Sequence, residues 1–271
     1  LKIEVTLNKL ESKKIWSSFC LPGRKVNVGD VLEFENDFSA KVVKISNGLY
    51  FLKFNKVYDD LMKSLEKIGE MPIPPYIQKR RGSRESDFEN YQATFAEHKG
   101  SVAAPTASLH FDKNLFNKIK KKKVPYCFIT LHVSGATFIP VKSNKLSDHK
   151  MHSEFAKVDY KSASKIKHTL DNGGRVIAVG TTTMRVLESD EFSKDFKIKP
   201  FEKEINTFIK PGHEFKVCSA LLTNFHQPRS TLLVLVNAFI GVNNCKALYQ
   251  EAIKEKYRLF SYGDCCLLFT K

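Results

Sequence analysis

A polar cluster interrupts two apolar runs late in the chain. In ALLTNFHQPRSTLLVLVNAF, residues 220–239, the side chains of Asn224, His226, Arg229 and Ser230 stand where the surrounding pattern predicts a protein core. Burying polar groups costs free energy unless each group finds a hydrogen-bond partner. The cluster therefore either ties down a strand-to-helix turn or binds a ligand, because such a turn exposes backbone N–H groups that attract carboxylates and other anions.

Two further segments combine small residues with histidines. GSVAAPTASLHF, residues 100–111, offers Thr106 and His110 among small residues that let a ligand approach the backbone closely. TLHVSGATF, residues 130–138, delivers His132 on a predicted strand and then turns at Ser134 and Gly135. A single histidine on a strand is usually a structural residue, so both interpretations stay open for these segments.

Another segment joins a predicted strand to a helix that begins with hydroxyl side chains. VIAVGTTTMRVLES, residues 176–189, places Thr181, Thr182 and Thr183 at the helix start and Arg185 one turn later. Hydroxyl and N–H donors at a helix start suit a carboxylate or a nucleoside. The segment lacks the glycine-rich patterns of dinucleotide and nucleoside-triphosphate sites, so neither ligand is indicated.

Two carboxylates are candidates for acid–base chemistry. HKMHSE, residues 149–154, contains His149 and His152, three residues apart, with Glu154 following, which suggests a metal site. However, no third ligand is obvious at a fixed offset. Glu154 is either a general base or an ion-pair partner for nearby lysines. Close to the carboxyl terminus, Tyr262 and Asp264 interrupt an apolar segment, where Asp264 forms a turn or supplies a placed carboxylate.

The elements that must position these residues follow from the apolar pattern. Residues 1–57 contain five short alternating segments separated by turn residues, which predicts a small antiparallel β-barrel domain. In residues 58–271, strands alternate with helices, which predicts a larger α/β domain, of mixed α+β character, with a mixed sheet. The fold class expected is therefore α/β with two domains.

Several element predictions are specific enough to test. FENYQATFAEH, residues 88–98, is expected as a helix capped by Ser86 after a flexible charged loop. Residues 126–133 are expected as a strand, and residues 189–204 as an exposed charged excursion. The helix STLLVLVNAF is expected to be capped by its own first residue, Ser230.

Charge favours an anionic partner. Lysine and arginine exceed aspartate and glutamate by 44 to 29, which gives a net charge of +15. Nucleic acid is the first candidate, and the alternative is a general lysine-rich bias. The strongest local run, KIKKKKV at residues 118–124, either contacts phosphates or forms a solvated helix end.

The cysteines and apolar segments bear on the cellular compartment. The six cysteines form no C-x-x-C pair, which is typical of free thiols in a reducing, cytoplasmic environment. No apolar stretch approaches the roughly 20 residues that span a bilayer, so no membrane partner is expected. Because the strand pattern begins at Leu1, we expect a further segment before it in the complete protein.

The order of these motifs resembles one enzyme family along nearly the whole chain. GSVAAPTASLHF, TLHVSGATFIPV, RVIAVGTTTMRVLES, ALLTNFHQPRSTLLVLVNAFIG and KYRLFSYGD are similar, in sequence and in order, to the S-adenosylmethionine:tRNA ribosyltransferase-isomerases of the queuosine pathway. Within the resemblance, Ser108 and Ser134 stand where that family usually has glycine. The family also has an amino-terminal segment that precedes Leu1.

This resemblance implies a transferase reaction on RNA. The ribosyl group of S-adenosylmethionine would be transferred and isomerised onto aminomethyl-deazaguanine at the wobble position of a tRNA with a GUN anticodon. Epoxyqueuosine-tRNA, adenine and methionine would result. The resemblance also implies a cytoplasmic monomer without metal or other cofactor, which consumes S-adenosylmethionine as a co-substrate.

The resemblance and the chemistry together assign expected roles. The sulfonium acidifies the neighbouring C5′ hydrogens, so a base is needed, for which Glu154 or Asp264 is expected. His110, His132 and His226 are expected to transfer protons or orient the ribose.

The expected substrate-binding residues are Thr106, Thr181, Thr182, Thr183, Arg185, Asn224, Arg229 and Tyr262. The alternatives are a non-catalytic RNA-binding protein on the same scaffold, and a metal-dependent hydrolase that uses His149, His152 and Glu154.

Overall fold

A computed structural model describes residues 1–35, 37–135, 146–149, 151 and 153–270. The chain forms two compact units, which are Leu1–Asp87 with Gly100–Ala103, and Phe88–Lys99 with Ala104–Lys271. The first unit thus continues beyond the sheet, and the domain boundary expected after residue 57 stays a prediction. The six cysteines are free thiols.

The first unit is built on a five-stranded antiparallel sheet with the order β1-β2-β5-β4-β3. Its strands and helices are β1 (Glu4–Ser12), β2 (Ile15–Leu21), β3 (Val31–Glu33), β4 (Ser39–Ser46), β5 (Leu49–Phe54), α1 (Tyr58–Ile68) and α2 (Pro75–Arg81). Alternate residues of β4 and β5, such as Val42 and Leu52, enter a core with Phe38 and with Leu61 of α1.

The predicted closure of this sheet into a barrel is not confirmed. Within the described part of the unit, β1 pairs only with β2, and β3 pairs only with β4. A barrel requires hydrogen bonds between the two outer strands and a consistent stagger. Here β3 has three residues, and Val31 at its start is exposed. The five predicted strands are present, and they form an open sheet.

The charged segment after α2 is folded, and the helix predicted over residues 88–98 is wrong. Asp87 is buried and accepts two hydrogen bonds from Arg81, at 2.9 and 2.6 Å, and one from the Arg84 N–H. A short helix, α3 (Asp87–Asn90), ends after one turn. The residues that follow are held by tertiary contacts instead, because Tyr91 is buried and Phe95 joins an aromatic cluster.

The second unit contains two three-stranded sheets, which confirms the predicted mixed sheet. In the order β11-β10-β8, the central strand is antiparallel to β11 and parallel to β8. The second sheet is antiparallel, in the order β6-β7-β9. The strands are β6 (Thr130–Leu131), β7 (Glu154–Val158), β8 (Val176–Val179), β9 (Phe201–Ile205), β10 (Cys218–Asn224) and β11 (Cys265–Phe269).

Helices connect and cover these strands. They are α4 (Lys113–Lys121), α5 (Tyr160–Asp171), α6 (Thr181–Leu187), α7 (Asp190–Ser193), α8 (Thr231–Ile240) and α9 (Val242–Lys254). The predicted cap of α8 is confirmed, since the Ser230 hydroxyl accepts the Leu233 N–H at 3.1 Å. The exposed excursion predicted over residues 189–204 is wrong, because α7 and β9 pack there and Phe192 is fully buried.

Strand β6 is shorter than the sequence predicted, and the described helices are short as well. Of the strand predicted over residues 126–133, only Thr130 and Leu131 pair, with Lys157 and Ala156 of β7. The preceding residues 126–129 form no strand. No single described helix is long and apolar enough to cross a membrane; α8 and α9 reach that length only as a pair, which bends by 114°.

Candidate functional site

A buried ion pair connects the start of β7 to α6. Arg185 Nη1 donates to Glu154 Oε2 at 2.6 Å, and only 7% and 3% of the two side chains is exposed. The other Glu154 oxygen accepts the Ser134 N–H at 2.9 Å, and Arg185 Nε donates to the Thr207 carbonyl at 3.1 Å. Glu154 is therefore the ion-pair partner of an arginine, and both of its oxygens accept hydrogen bonds.

Helix α6 begins where β8 ends. Gly180 takes a positive φ of 94°, which glycine tolerates without strain, and its N–H donates to the Leu222 carbonyl at 2.8 Å. The Thr183 hydroxyl donates to the Val179 carbonyl at 2.8 Å, so it stabilises the turn. Thr182 and Arg185 lie three residues apart and share one face of the helix. The helix thus brings the Glu154 ion pair close to the ends of β8 and β10.

Asn224, the last residue of β10, holds the segment that leads into β11. Its Nδ2 donates to the carbonyls of Phe260, Ser261 and Gly263 at 3.1, 3.4 and 3.3 Å. The side chain is buried, and its Oδ1 finds no hydrogen-bond partner among the described residues. One end of this amide therefore stabilises the fold, while the other end offers a buried acceptor.

His110 ends the 3₁₀ helix Thr106–His110, which lies against β10. A Cβ placed on Gly180 would be 3.6 Å from the Ala107 Cβ, so this short helix also approaches the start of α6. His110 Nε2 is buried and has no hydrogen-bond partner within the described part of the chain. His110 is the least of the causes that lower the pKa of Asp264, after the hydrogen bonds from Arg258.

Asp264 and Tyr262 are positioned by partners that the sequence did not reveal. Arg258 donates to Asp264 Oδ1 through Nε at 3.1 Å and through Nη2 at 2.5 Å, and its backbone N–H donates to Oδ2. Hydrogen bonds from Arg258 are the main reason that the pKa of Asp264 is lowered. The ring of Tyr262 lies 5.6 Å from that of Tyr91.

His226 is satisfied by the protein itself. Its Nε2 lies 2.8 Å from the Thr223 hydroxyl, and its backbone N–H donates to the Tyr249 hydroxyl at 2.6 Å. Burial lowers the pKa of His226 to about 4, so the ring is neutral near pH 7. Of the two interpretations of the opening cluster, the structure favours a tied-down turn for His226 and a shared role for Asn224.

His132 lies apart from the Glu154 ion pair. Its ring stacks on Phe155 with centroids 5.4 Å apart, and its N–H donates to the Phe155 carbonyl. Adjacent residues of a strand point to opposite faces, so Phe155 and Glu154 face opposite sides of the sheet. Burial is the main reason that the pKa of His132 is lowered, and the electrostatic effect of the nearby His98 lowers it further. The structure therefore does not bring His132 together with Glu154.

The remaining candidates have varied settings. Thr106 is half-buried, Thr181 is buried, and Arg229 is exposed with a positive φ of 57° just before α8. His149 packs edge-on against Phe208. His152, the third residue of the metal alternative, lies outside the described residues. Among those that are described, no group of three His, Cys, Asp or Glu side chains is arranged to hold a metal ion.

Glu188, the C-cap of α6, is a buried carboxylate to which the sequence patterns assigned no role. Glu188 accepts backbone N–H groups from Lys216, Val217 and Cys218 at 2.8, 3.0 and 2.8 Å. Burial by itself raises the pKa of Glu188, but the His213 ring 3.7 Å away and these N–H groups together hold it below its ordinary value. No local pattern predicts this clamp, because its partners lie about thirty residues away.

The segments at the ends of β8 and β10 therefore share an unusual property. Three buried atoms there, His110 Nε2, Arg185 Nη2 and Asn224 Oδ1, have no hydrogen-bond partner in the described residues. Each such atom costs about 1–3 kcal/mol when it stays unpaired. An imidazole nitrogen, a guanidinium donor and an amide acceptor suit a small polar ligand that carries both a carboxylate and amine or hydroxyl groups.

Comparison with known proteins gives consistent matches along the whole chain. Residues 1–268 match a sequence profile described as queuosine biosynthesis protein. A Ruegeria sp. (strain TM1040) protein named S-adenosylmethionine:tRNA ribosyltransferase-isomerase is 44% identical over 98% of this chain and 76% of its own length. Proteins of the same name from Roseobacter denitrificans and Rickettsia canadensis are each 43% identical, over 100% and 99% of this chain and 76% and 69% of their own lengths.

A solved structure is also similar in sequence. The crystal structure of an S-adenosylmethionine tRNA ribosyltransferase from Thermotoga maritima is 32% identical to this chain. The match covers 98% of this chain and 75% of that chain, with a TM-score of 0.49.

Proposed function

This chain belongs to the family of S-adenosylmethionine:tRNA ribosyltransferase-isomerases, and we propose that it carries out that reaction on a queuosine precursor. In the proposed reaction, the ribosyl group of S-adenosylmethionine is transferred and isomerised onto aminomethyl-deazaguanine at the tRNA wobble position. Epoxyqueuosine-tRNA forms, and adenine and methionine leave. S-adenosylmethionine enters as a co-substrate, and the protein needs no resident cofactor.

One observation carries the assignment to this site: the three buried atoms without partners at the ends of β8 and β10. Arg185 Nη2 is a donor for the methionine carboxylate, and the Glu154 ion pair holds the guanidinium in place. Asn224 Oδ1 is an acceptor for an amine or hydroxyl of the same nucleoside. The amide of Asn224 is fixed by its three bonds to the following loop.

We assign proton transfer to His110. The reaction needs a base for the C5′ hydrogen beside the sulfonium and an acid for the departing adenine. Glu154 and Asp264 are both bound to arginines, which engage their oxygens. His110 instead presents a buried nitrogen with no hydrogen-bond partner among the described residues. An imidazole nitrogen that takes up a proton can later donate it, so one group serves both steps.

The RNA partner is a tRNA with a GUN anticodon that carries the precursor base, and the protein acts as a cytoplasmic monomer. The net charge of +15 supports an RNA substrate, since it concentrates polyanions at the surface. The nucleophile is the primary amine of the base in its neutral form. Holding this amine against the ribose converts a bimolecular attack into a step within one complex.

The test is a coupled product assay. The chain is incubated with S-adenosylmethionine and precursor tRNA; adenine is measured by chromatography, and the modified nucleoside by mass spectrometry. His110→Asn should lower kcat by about a hundredfold or more, whereas His168→Asn, at an exposed position of α5, should match the parent. Absence of both products with the parent chain would reject the proposed function and favour the non-catalytic RNA-binding alternative.

A further inference from the structure

A second surface of the same unit has the composition of a nucleic-acid groove. A cleft of about 590 Å³ is lined by parts of α4, the extended segment before β6, and the start of α5. Its lysines are Lys120, Lys123, Lys157, Lys161 and Lys165. Only two acidic residues, Glu97 and Asp159, line it as well. The cleft is therefore strongly positive.

Three of the five lysines of the cleft are available to a ligand, whereas Lys157 pairs with Glu202 at 2.7 Å and Lys165 donates to the Tyr126 carbonyl at 2.8 Å. The Asp159 carboxylate is engaged as the cap of α5, where it accepts the Ser162 N–H at 2.6 Å. Lys120, Lys123 and Lys161 form no ion pair with the residues described. Lys120 lies in α4 and Lys123 just after it, whereas Lys161 lies in α5, so they come from two different parts of the lining. Lysines on separate parts of the lining suit a chain of phosphates, which they bind as point charges along a groove.

Aromatic rings add a second means of binding RNA. Tyr126 and Phe128 line the cleft with 42% and 47% of their surface exposed. Their rings are supported from behind, because Phe116 lies 5.4 Å from Tyr126 and 6.0 Å from Phe128. Exposed rings on a firm support bind unpaired bases by stacking. Lysines with interleaved aromatics favour single-stranded or loop RNA over a duplex.

The cleft and the proposed reaction site adjoin opposite faces of the sheet that contains β6 and β7. Thr130 lines the cleft, and the chain continues past the end of β6 to Ser134, whose N–H donates to Glu154. Four residues of extended chain span roughly 13 Å. His132, which stacks on Phe155, lies between Thr130 and Ser134 in the chain. Because Lys157 lies on the face of β7 opposite to Glu154, an RNA loop in the cleft reaches the Arg185 ion pair only around the end of β6.

We propose that this lysine–aromatic cleft binds the loop of the substrate RNA next to the base that is modified. The identity of the RNA as tRNA rests on the proposed function. Phosphates lie against the lysines of α4 and α5, and a neighbouring base stacks on Tyr126 or Phe128. The basic run at residues 118–124 thus divides, with Lys120 and Lys123 facing the RNA and Lys121 and Lys122 outside the cleft.

The experiment compares matched charge reversals by fluorescence anisotropy with an unmodified tRNA transcript. The cleft variant is Lys120→Glu with Lys161→Glu, and the control is Lys121→Glu with Lys122→Glu; all four positions are exposed. The cleft variant should raise Kd roughly tenfold or more and reduce the slope of log Kd against log salt by about 1.4, because each single-strand contact contributes about 0.7. The control should change both values much less.

A second variant tests the stacking independently of charge. Phe128→Ala should weaken binding to an anticodon stem-loop roughly tenfold, the equivalent of losing one stacked base, and leave the salt slope unchanged. Equal losses in the cleft and control variants, or unchanged affinity in all of them, would overturn the proposal. Because binding to unmodified tRNA needs no turnover, a parent chain that binds tRNA through the cleft but releases no adenine would reject the proposed function alone.

Discussion

Glu154→Gln is the substitution that best separates anchoring from catalysis at the proposed site. Glutamine keeps the shape of the side chain but removes its negative charge. In the structure that charge faces Arg185 Nη1 at 2.6 Å, and both side chains are almost fully buried. If Glu154 anchors Arg185, the substitution leaves a buried guanidinium uncompensated. If Glu154 were a base, the main effect would be on turnover.

The size of the anchoring effect follows from the geometry. Unit charges 2.6 Å apart attract by about 6 kcal/mol at an effective dielectric constant of about 20. Part of this attraction offsets the cost of desolvating the two groups. Removing one partner of a buried pair costs about 3–5 kcal/mol, and we expect about 3 kcal/mol because glutamine still accepts hydrogen bonds from Ser134 and Arg185.

A double-mutant cycle checks this expectation. Urea unfolding followed by circular dichroism gives the free energy of unfolding for the parent, Glu154→Gln, Arg185→Met and the double variant. The double variant should be more stable than Glu154→Gln, since no charge is then left unpaired. Unchanged stability of Glu154→Gln, together with a hundredfold loss of adenine release, would refute the anchoring role and restore Glu154 as the base.

Further predictions concern groups outside the ion pair. Glu188→Gln should lower the free energy of unfolding by about 2–3 kcal/mol at pH 7. Because the pKa of Glu188 is lowered in the fold, this difference should shrink as pH falls below the unfolded pKa near 4.3. Acid titration of the stability of both proteins measures this. Because the pKa of His226 lies at about 4, its ring resonances should stay constant from about pH 8 to pH 5 in an NMR titration, and its contribution to stability should decline as pH falls from about 6.5 towards 4. Ser230→Ala should cost about 1 kcal/mol through the lost cap of α8, measured by urea unfolding against Ser64→Ala on α1.

Local signals were enough to predict the elements that carry their own determinants. Helix α8 has an apolar run and a capping Ser230, both of which lie within a few residues. The turn after β8 is equally local, because Gly180 alone supplies the positive φ. The order of such segments also predicted the mixed sheet. These elements required no knowledge of distant partners.

The failures share a non-local cause. The helix expected over residues 88–98 gives way to a buried Tyr91 and to an ion pair between Asp87 and Arg81, neither of which has a signal in a short window. The barrel depends on whether two outer strands meet, which strand patterns do not encode. In the site, Glu154 was recognised as important, but its partner Arg185 lies thirty-one residues away. Spacing alone therefore left Glu154 either a base or an ion-pair partner, and only the fold shows the ion pair.

Helix α6 is bound to β10 at both of its ends. The Gly180 N–H donates to the Leu222 carbonyl at the start, and the Glu188 carboxylate receives three N–H groups around Cys218 at the finish. A helix held in this way cannot tilt or slide without breaking one of the two attachments. Arg185 is therefore carried on an immobile support, and any closing motion around a bound nucleoside must come from the surrounding loops. In hydrogen exchange, the amides of α6 should be among the slowest of the unit with or without ligand.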